Sequence, residues 1–203
     1  MIRSIIIFLV TGFFLPASSQ DFSLINEQLS LSDSLEYREH IRIYKSYGIT
    51  NYTSVFEMYS KDGSWTATFY EYFTGDNPQS FQTVLKSKND PDYVFQNFLR
   101  SYAMDLPSME AIRWKMNNRQ PIRVVKDTFR GIPQTKYWSE SKTLQFVDGD
   151  YFVIEVRYGN VINRTEFSNP VNYLKAYPNI DELTYFCEII DIAKNEFGIW
   201  IDE

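Results

Sequence analysis

Two pairs of sequence runs, each with alternating apolar and polar residues, are separated by two-residue turn signals. This pattern predicts that these parts of the chain form antiparallel β-hairpins. Asp62-Gly63 lies between two β-rich runs in the segment 36–74, and Asp-Gly tolerates the positive φ that both central positions of a type I′ turn require. A two-residue turn at this place puts Phe56 opposite Phe69 on one face of the ribbon. We therefore predict a three-strand meander, followed by a short fourth strand at 81–86.

A second ribbon is predicted in the C-terminal half. Gly159-Asn160 separates alternating runs at 151–158 and 161–167, and the turn puts Phe152 opposite Phe167. A further strand is predicted at 142–147, so that this segment also forms a three-strand meander.

Two segments have helical periodicity. Asp90 can cap a helix whose first position is Pro91, and apolar residues recur at helical spacing to about residue 103. The run 180–197 carries an apolar stripe at i, i+3, i+4 spacing, with Asn179 and Glu182 in a capping-box pattern. The predicted fold class is α+β: an antiparallel sheet built from two meanders, with a helix near 91–103 and a long C-terminal helix packed on the sheet.

The remaining segments have weaker patterns. Residues 20–33 are predicted to form a loosely ordered lead-in, and 109–126 to form strands, because apolar residues alternate there. Gly131 and Pro133 give residues 127–141 the composition of a loop. Asn169-Pro170 predicts the start of a short helix that ends near residue 177.

The N-terminus has the pattern of a secretory signal. Arg3 precedes an apolar stretch, and Ala17 and Ser19 form a small-residue cleavage pattern. The apolar run falls short of the roughly 20 residues that a spanning helix needs. We therefore predict a signal peptide at 1–19, a single domain at 20–203, and a soluble secreted or periplasmic product without a stable membrane span.

Composition argues against several functions. Cys187 and His40 are the only cysteine and histidine, so an intrachain disulfide is impossible and a zinc site has few ligands. Removing residues 1–19 removes one of 20 basic residues and none of the 26 acidic ones, which leaves 19 against 26 and a net charge of −7. That sign opposes phosphate binding, so we predict no nucleic-acid partner. No cofactor is predicted, because phosphate-binding and catalytic motifs are missing.

One carboxylate is a candidate catalytic group. The predicted register puts Glu71 on the same strand face as Trp65 and Phe69, where burial would raise its pKa and let it act as an acid. The alternative is that the sheet edge lets Glu71 reach water or an arginine, because acids are rarely buried without a partner.

Aromatic residues suggest a candidate binding surface. The sequence has 16 Phe, 15 Tyr and 4 Trp. Tyr44, Tyr59, Tyr70 and Tyr72 fall on strand faces opposite the predicted core, where flat rings would form a sugar- or peptide-binding platform. The alternative is that these rings serve packing, because Tyr and Phe favour strands for that reason alone.

Two short patterns carry less weight. Asp148-Gly149-Asp150 could offer oxygens to calcium, but the full Asp-x-Asp-x-Asp-Gly loop is missing, so we predict a turn and no metal site. Asn51 and Asn163 begin glycosylation acceptor sequences, which matter only in a eukaryotic source.

Three segments carry a family resemblance. They are the signal ending in Ser-Ser-Gln, the hairpin string 151–159, and the run from Ser168-Asn169-Pro170 through Tyr-Pro-Asn-Ile-Asp-Glu-Leu to Phe197. Through them the chain resembles a group of uncharacterised exported bacterial proteins over most of its mature length. The resemblance brings no activity, ligand or catalytic residue with it.

These observations favour a non-catalytic binding or interaction protein with a protein or carbohydrate partner. The alternatives are a carboxylate-based hydrolase of extracellular or envelope material and a purely structural component. Two carboxylates about 5–10 Å apart across a deep cleft would indicate hydrolysis. A flat, exposed aromatic or apolar patch would indicate binding.

Overall fold

The computed structural model describes residues 22–48, 50–117, 121–138, 144, 146 and 149–201. The chain divides into two compact units, the second of which begins at Ser34. In the first unit, helix α1 (Ser23–Leu29) ends at Ser30, which adopts a left-handed conformation with φ 56°. The prediction of a loosely ordered lead-in is therefore wrong for this helix. The signal peptide lies outside the described residues, and both its cleavage and the single domain 20–203 stay predictions.

The second unit contains the sheet and the remaining helices. Its elements, in chain order, are β1 (Glu39–Tyr47), β2 (Tyr52–Lys61), β3 (Ser64–Phe73), β4 (Gln79–Leu85), α2 (Pro91–Arg100), α3 (Met109–Met116), β5 (Arg123–Phe129), β6 (Ile132–Trp138), β7 (Asp150–Tyr158), β8 (Val161–Ser168), α4 (Pro170–Ala176) and α5 (Asp181–Phe197).

Six of these strands form one antiparallel sheet in the order β4-β3-β2-β1-β7-β8, and β5 and β6 form a separate two-stranded sheet. The predicted α+β class is confirmed, and so are the hairpin registers. Phe56 pairs with Phe69 and Phe152 with Phe167, because two-residue turns leave little freedom in the alignment of the strands that they join. The meander β1–β4 and the β7–β8 hairpin meet where β1 pairs with β7. The strand predicted at 142–147 lies mostly outside the described residues.

Helix α5 packs on one face of the sheet, as predicted. Its stripe residues Phe186 and Ile189 are fully buried in the hydrophobic core, together with Phe152 and Ile154 of β7. The amphipathic period of 3.6 residues puts these side chains on a single face of the helix, so that the charged residues remain on the other. Helix α2 adds Phe95 and neighbouring side chains to the same core.

The cap predicted for α5 does not form. Ile180, rather than Asn179, occupies the N-cap position of the helix, and it provides no side-chain cap. Glu182, the other member of the predicted capping box, instead accepts a hydrogen bond from the Lys115 ammonium group of α3. The helix ends as predicted, at Gly198 with φ 67°.

The prediction of strands at 109–126 is wrong for its first half. Residues Met109, Ile112 and Met116 bury one face of helix α3, while Trp114 is 63% exposed. Alternation over so few residues also fits helical i, i+4 spacing, and the Ser108 side chain accepts a capping hydrogen bond from the Ala111 amide.

The prediction of a loop at 127–141 is also wrong, because β6 lies within it.

No helix in the described part of the chain is long and apolar enough to cross a membrane.

Candidate functional site

The β5–β6 hairpin is the most exposed element of the second unit. Its strands pair from Arg123 with Trp138 to Phe129 with Ile132. Arg130 and Gly131 form the turn with φ values of 53° and 80°, as a type I′ turn requires at both central positions. All residues of both strands are exposed. Among the described strands, β5 and β6 pair only with each other.

Both faces of this hairpin display apolar and basic side chains. The pleat puts Val125, Phe129, Ile132 and Trp138 on one face and Val124 and Tyr137 on the other. Exposed fractions of these six residues run from 43% to 73%. The basic residues Arg123 and Lys136 fall on the first face, Lys126 falls on the second, and Arg130 lies at the turn.

The hairpin has a charge opposite to that of the rest of the chain. From Arg123 to Trp138 it carries four basic residues and one acid, which gives +3; the whole chain carries −6, so the remainder carries −9. The one acid, Asp127, accepts a 2.5 Å hydrogen bond from Lys136. Hydrogen bonds from Lys136 and from the Thr128 amide lower the pKa of the Asp127 carboxyl, which therefore stays ionised. Near the turn, the Arg130 guanidinium lies 5.3 Å from the centre of the Phe129 ring.

A shallow polar cleft of about 800 Å³ lies at one end of the six-stranded sheet. It is lined by the segment 36–39, by the β2–β3 turn 60–63, and by Tyr158 and Gly159. Side chains of both charges face it, so the cleft has no dominant sign that would select a charged ligand.

Glu71 is half-buried, and it accepts a 3.2 Å hydrogen bond from the Tyr52 hydroxyl. The structure places it opposite Ser54 of β2 and Phe81 of β4, on the predicted face. A catalytic role for Glu71 stays a prediction.

Three of the four tyrosines proposed for a platform are buried. Tyr44 is 1% exposed, and Tyr70 and Tyr72 are each 8% exposed. Tyr59 stacks on Tyr37, with ring centres 4.1 Å apart. The alternation places all four opposite the helix-covered face, as expected, but the expected exposure of the three buried rings is wrong. A ligand-binding role for these residues stays a prediction, although they do not form an open aromatic surface.

A buried ionic cluster lies on the same sheet face as these tyrosines. Arg42 donates hydrogen bonds of 3.0 and 2.6 Å to Oε1 of Glu57, and His40 Nε2 lies 2.9 Å from the same oxygen. Burial acts to raise the pKa of the Glu57 carboxyl, but the hydrogen bond with His40 and the charge and hydrogen bonds of Arg42 outweigh it, so the pKa is lowered. All three residues are at most 5% exposed, which indicates a structural role rather than contact with a substrate.

Metal binding and glycosylation find little support in the described residues. There, no group of three or more histidine, cysteine or acidic side chains comes together in a way that could hold a metal ion; the absence of a metal stays a prediction. The Asn163 side-chain amide donates to the carbonyls of Ala103 and Leu106 at 2.9 and 3.0 Å. A glycan on Asn163 would disrupt both bonds.

Sequence reasoning missed the hairpin, although a signal for it exists. Arg130-Gly131 separates two seven-residue runs rich in β-branched and aromatic residues, which is the pattern that identified the other hairpins. Gly131 and Pro133 directed the interpretation toward a loop. Pro133 is compatible with a strand here because it lies on an edge, where no ladder hydrogen bond from its nitrogen is required.

Comparison with protein-family models, with curated proteins and with solved structures found no match.

Proposed function

We propose that this protein is an exported, non-catalytic binding protein that attaches peripherally to a negatively charged lipid surface through the β5–β6 hairpin. The observation that carries the proposal is the exposure of apolar and basic side chains on both faces of one self-paired hairpin. An isolated two-stranded hairpin is marginally stable in water. We therefore expect the hairpin to be stabilised by contact with another surface when the protein functions.

The distribution of side chains favours a lipid surface over a protein partner. A protein interface has an apolar core surrounded by a polar rim, which would occupy one face of the hairpin. Here both faces carry apolar and basic groups, and a headgroup layer can surround such an element. Phe129 and Ile132, 55% and 64% exposed, flank the turn and can enter the interfacial region. The unpaired backbone edges prevent deeper entry into hydrocarbon.

The net negative charge of the rest of the chain does not cancel the attraction between the basic hairpin and an anionic lipid surface. Strands of seven residues at about 3.3 Å per residue extend roughly 23 Å, whereas charges are screened beyond about 8 Å at physiological ionic strength. Basic groups near an anionic surface contribute about 1 kcal/mol each. Arg130 at the turn and Lys126, three residues before Phe129, lie nearest to the surface, so the hairpin gains roughly 2 kcal/mol. Burying the exposed parts of Phe129 and Ile132 adds about 2 kcal/mol. The expected binding is weak, reversible and salt-dependent.

Vesicle sedimentation tests the proposal. The protein is mixed with vesicles of phosphatidylcholine alone or with added phosphatidylglycerol, at about 0.1 M and about 1 M salt. We expect binding only to the anionic vesicles, and loss of it at high salt. The substitution Arg130→Glu and the double substitution Phe129→Ser with Ile132→Ser should each weaken binding, whereas the exposed control Arg100→Glu on α2 should have little effect.

Three results would overturn the lipid assignment. The first is equal binding to neutral and anionic vesicles. The second is a response to Arg100→Glu as large as the response to Arg130→Glu. The third is that the protein binds no vesicles but binds an acidic protein through the hairpin. That result would make the partner a protein rather than a lipid surface.

A further inference from the structure

Strand β4 forms one edge of the six-stranded sheet and is open to solvent. It pairs with β3 through residues 79–85, and no other described strand pairs with it. Every residue from Gln79 to Val84 is exposed, including Phe81 at 54% and Val84 at 76%. The outer edge of β4 therefore presents a row of backbone donors and acceptors that can accept another strand.

Strand β4 lacks the features that normally block strand addition. Residues 79–85 contain no charged residue, no proline and no glycine, whereas protected edges carry charges, prolines or bulges. The opposite edge strand, β8, differs because it carries Arg164 and Glu166. In addition, its Asn163 and Thr165 side chains are hydrogen-bonded to the loop at 103–107. The two edges are thus unequal, and β4 is the one suited to pairing.

The sequence around β4 is complementary to itself. If two copies pair antiparallel with Gln82 opposite Gln82, then Phe81 faces Thr83. Asp76 and Lys88 flank β4 at its two ends, outside the strand, so this pairing brings the end with Asp76 in each copy close to the end with Lys88 in the other. The two-fold symmetry produces this opposite-charge pair twice. Parallel pairing would instead bring Asp76 against Asp76 and Lys88 against Lys88. Charge therefore selects a second copy in the antiparallel orientation.

We propose that two copies of this chain associate through their β4 strands around a two-fold axis at Gln82, so that the two six-stranded sheets become continuous. A single pair of short strands buries little surface compared with stable interfaces. The dimer is therefore concentration-dependent. This inference does not depend on the hairpin or on the proposed lipid binding.

A register-specific crosslink tests the geometry. In the full chain with Cys187→Ala, the substitution Gln82→Cys should form a disulfide-linked dimer on mild oxidation, because only position 82 faces itself. The variants Ser80→Cys and Val84→Cys should crosslink when mixed and not when oxidised alone. A matched control, Ile162→Cys on the exposed β8 edge, should remain monomeric. Crosslinking of Gln82→Cys no faster than this control would overturn the proposal.

Charge at the axis gives a second test that needs no crosslink. Sedimentation equilibrium should show that Gln82→Lys and Gln82→Glu are each impaired in self-association by roughly fivefold or more, because like charges then face each other. An equimolar mixture of the two variants should recover association. Likewise, Asp76→Lys and Lys88→Asp should each weaken the dimer, and the double variant should restore it.

Two results would refute the proposed dimer. A wild-type chain that stays monomeric at all concentrations, or a dimer indifferent to these substitutions while circular dichroism reports native folds, would exclude β4 pairing. Because Gln82, Asp76 and Lys88 are exposed, the substitutions should leave the fold intact.

Discussion

Removal of the Glu57 charge should destabilise the sheet strongly. In the variant Glu57→Gln, the Arg42 guanidinium loses the carboxylate to which it donates two hydrogen bonds, in a place where Arg42 is 1% and Glu57 5% exposed. Breaking a buried ion pair by removing one partner costs about 3–5 kcal/mol. Glutamine keeps one carbonyl oxygen as an acceptor, so we expect a loss of about 3 kcal/mol.

The assay is urea unfolding at pH 7, where the free energy of unfolding and the m value are both obtained. The matched control is Glu110→Gln, which removes the acid of an exposed i, i+3 pair with Arg113. Such a pair contributes under about 1 kcal/mol. A loss below about 1 kcal/mol for Glu57→Gln, or a loss equal to that of the control, would refute the reasoning.

The pH dependence of the free energy of unfolding gives an independent test of the direction of the Glu57 pKa shift. The pKa of Glu57 is lowered in the folded state from its ordinary value of 4.5. Its contribution is therefore fully present above about pH 4.5 and is lost as the pH falls through the lower, folded-state pKa. The difference between wild type and Glu57→Gln should be constant at neutral pH and should shrink on acidification below that value. A difference independent of pH would contradict the lowered pKa.

Three further predictions concern the core and the turns. Phe186→Ala should cost about 3–5 kcal/mol in urea unfolding, because the ring is fully buried and stacks on another phenylalanine at 4.2 Å; a loss under 1 kcal/mol would contradict the packing of α5. Burial raises the pKa of the Cys187 thiol to about 12, so Ellman's reagent at pH 8 should react with it only after unfolding, and rapid reaction of the native protein would contradict this burial. Gly149→Ala should destabilise by about 1–3 kcal/mol, because its Cβ would lie 1.6 Å from the Asn169 Oδ1; Gly48→Ala, which meets nothing within 4 Å, is the control, and equal stability of the two variants would contradict the clash.

The strand registers were predictable because short turns and a period of two residues determine them together. Once Asp62-Gly63 and Gly159-Asn160 are recognised as two-residue turns, every cross-strand pair follows by counting, and the structure agrees at Phe56 with Phe69 and at Phe152 with Phe167. The pairing of β1 with β7 could not be counted in this way, since more than a hundred residues separate them and no turn joins them.

The candidate site was harder to predict for two physical reasons. Alternation assigns a residue to a face, but it does not tell whether that face is covered; Tyr44 and Arg42 are on the predicted side of β1 and are nevertheless buried. In the hairpin, apolar and basic residues occur on both faces, so the usual contrast between a buried and a solvated side is missing between Arg123 and Trp138. Without that contrast, Gly131 and Pro133 were the clearest signals from residue 127 onward, and they favour a loop.

The two proposals make a joint prediction, because a β4-paired dimer carries two hairpins. When both hairpins reach the same vesicle, the second contact is intramolecular, and apparent affinity rises by about a hundredfold or more without any new contact. The variant Gln82→Lys, which changes no hairpin residue, should then bind anionic vesicles more weakly than wild type. Adding an equal amount of Gln82→Glu should restore the binding together with the dimer. If Gln82→Lys is monomeric yet binds vesicles as tightly as the wild-type dimer, the two hairpins do not engage one surface, and the attraction must come from a single hairpin.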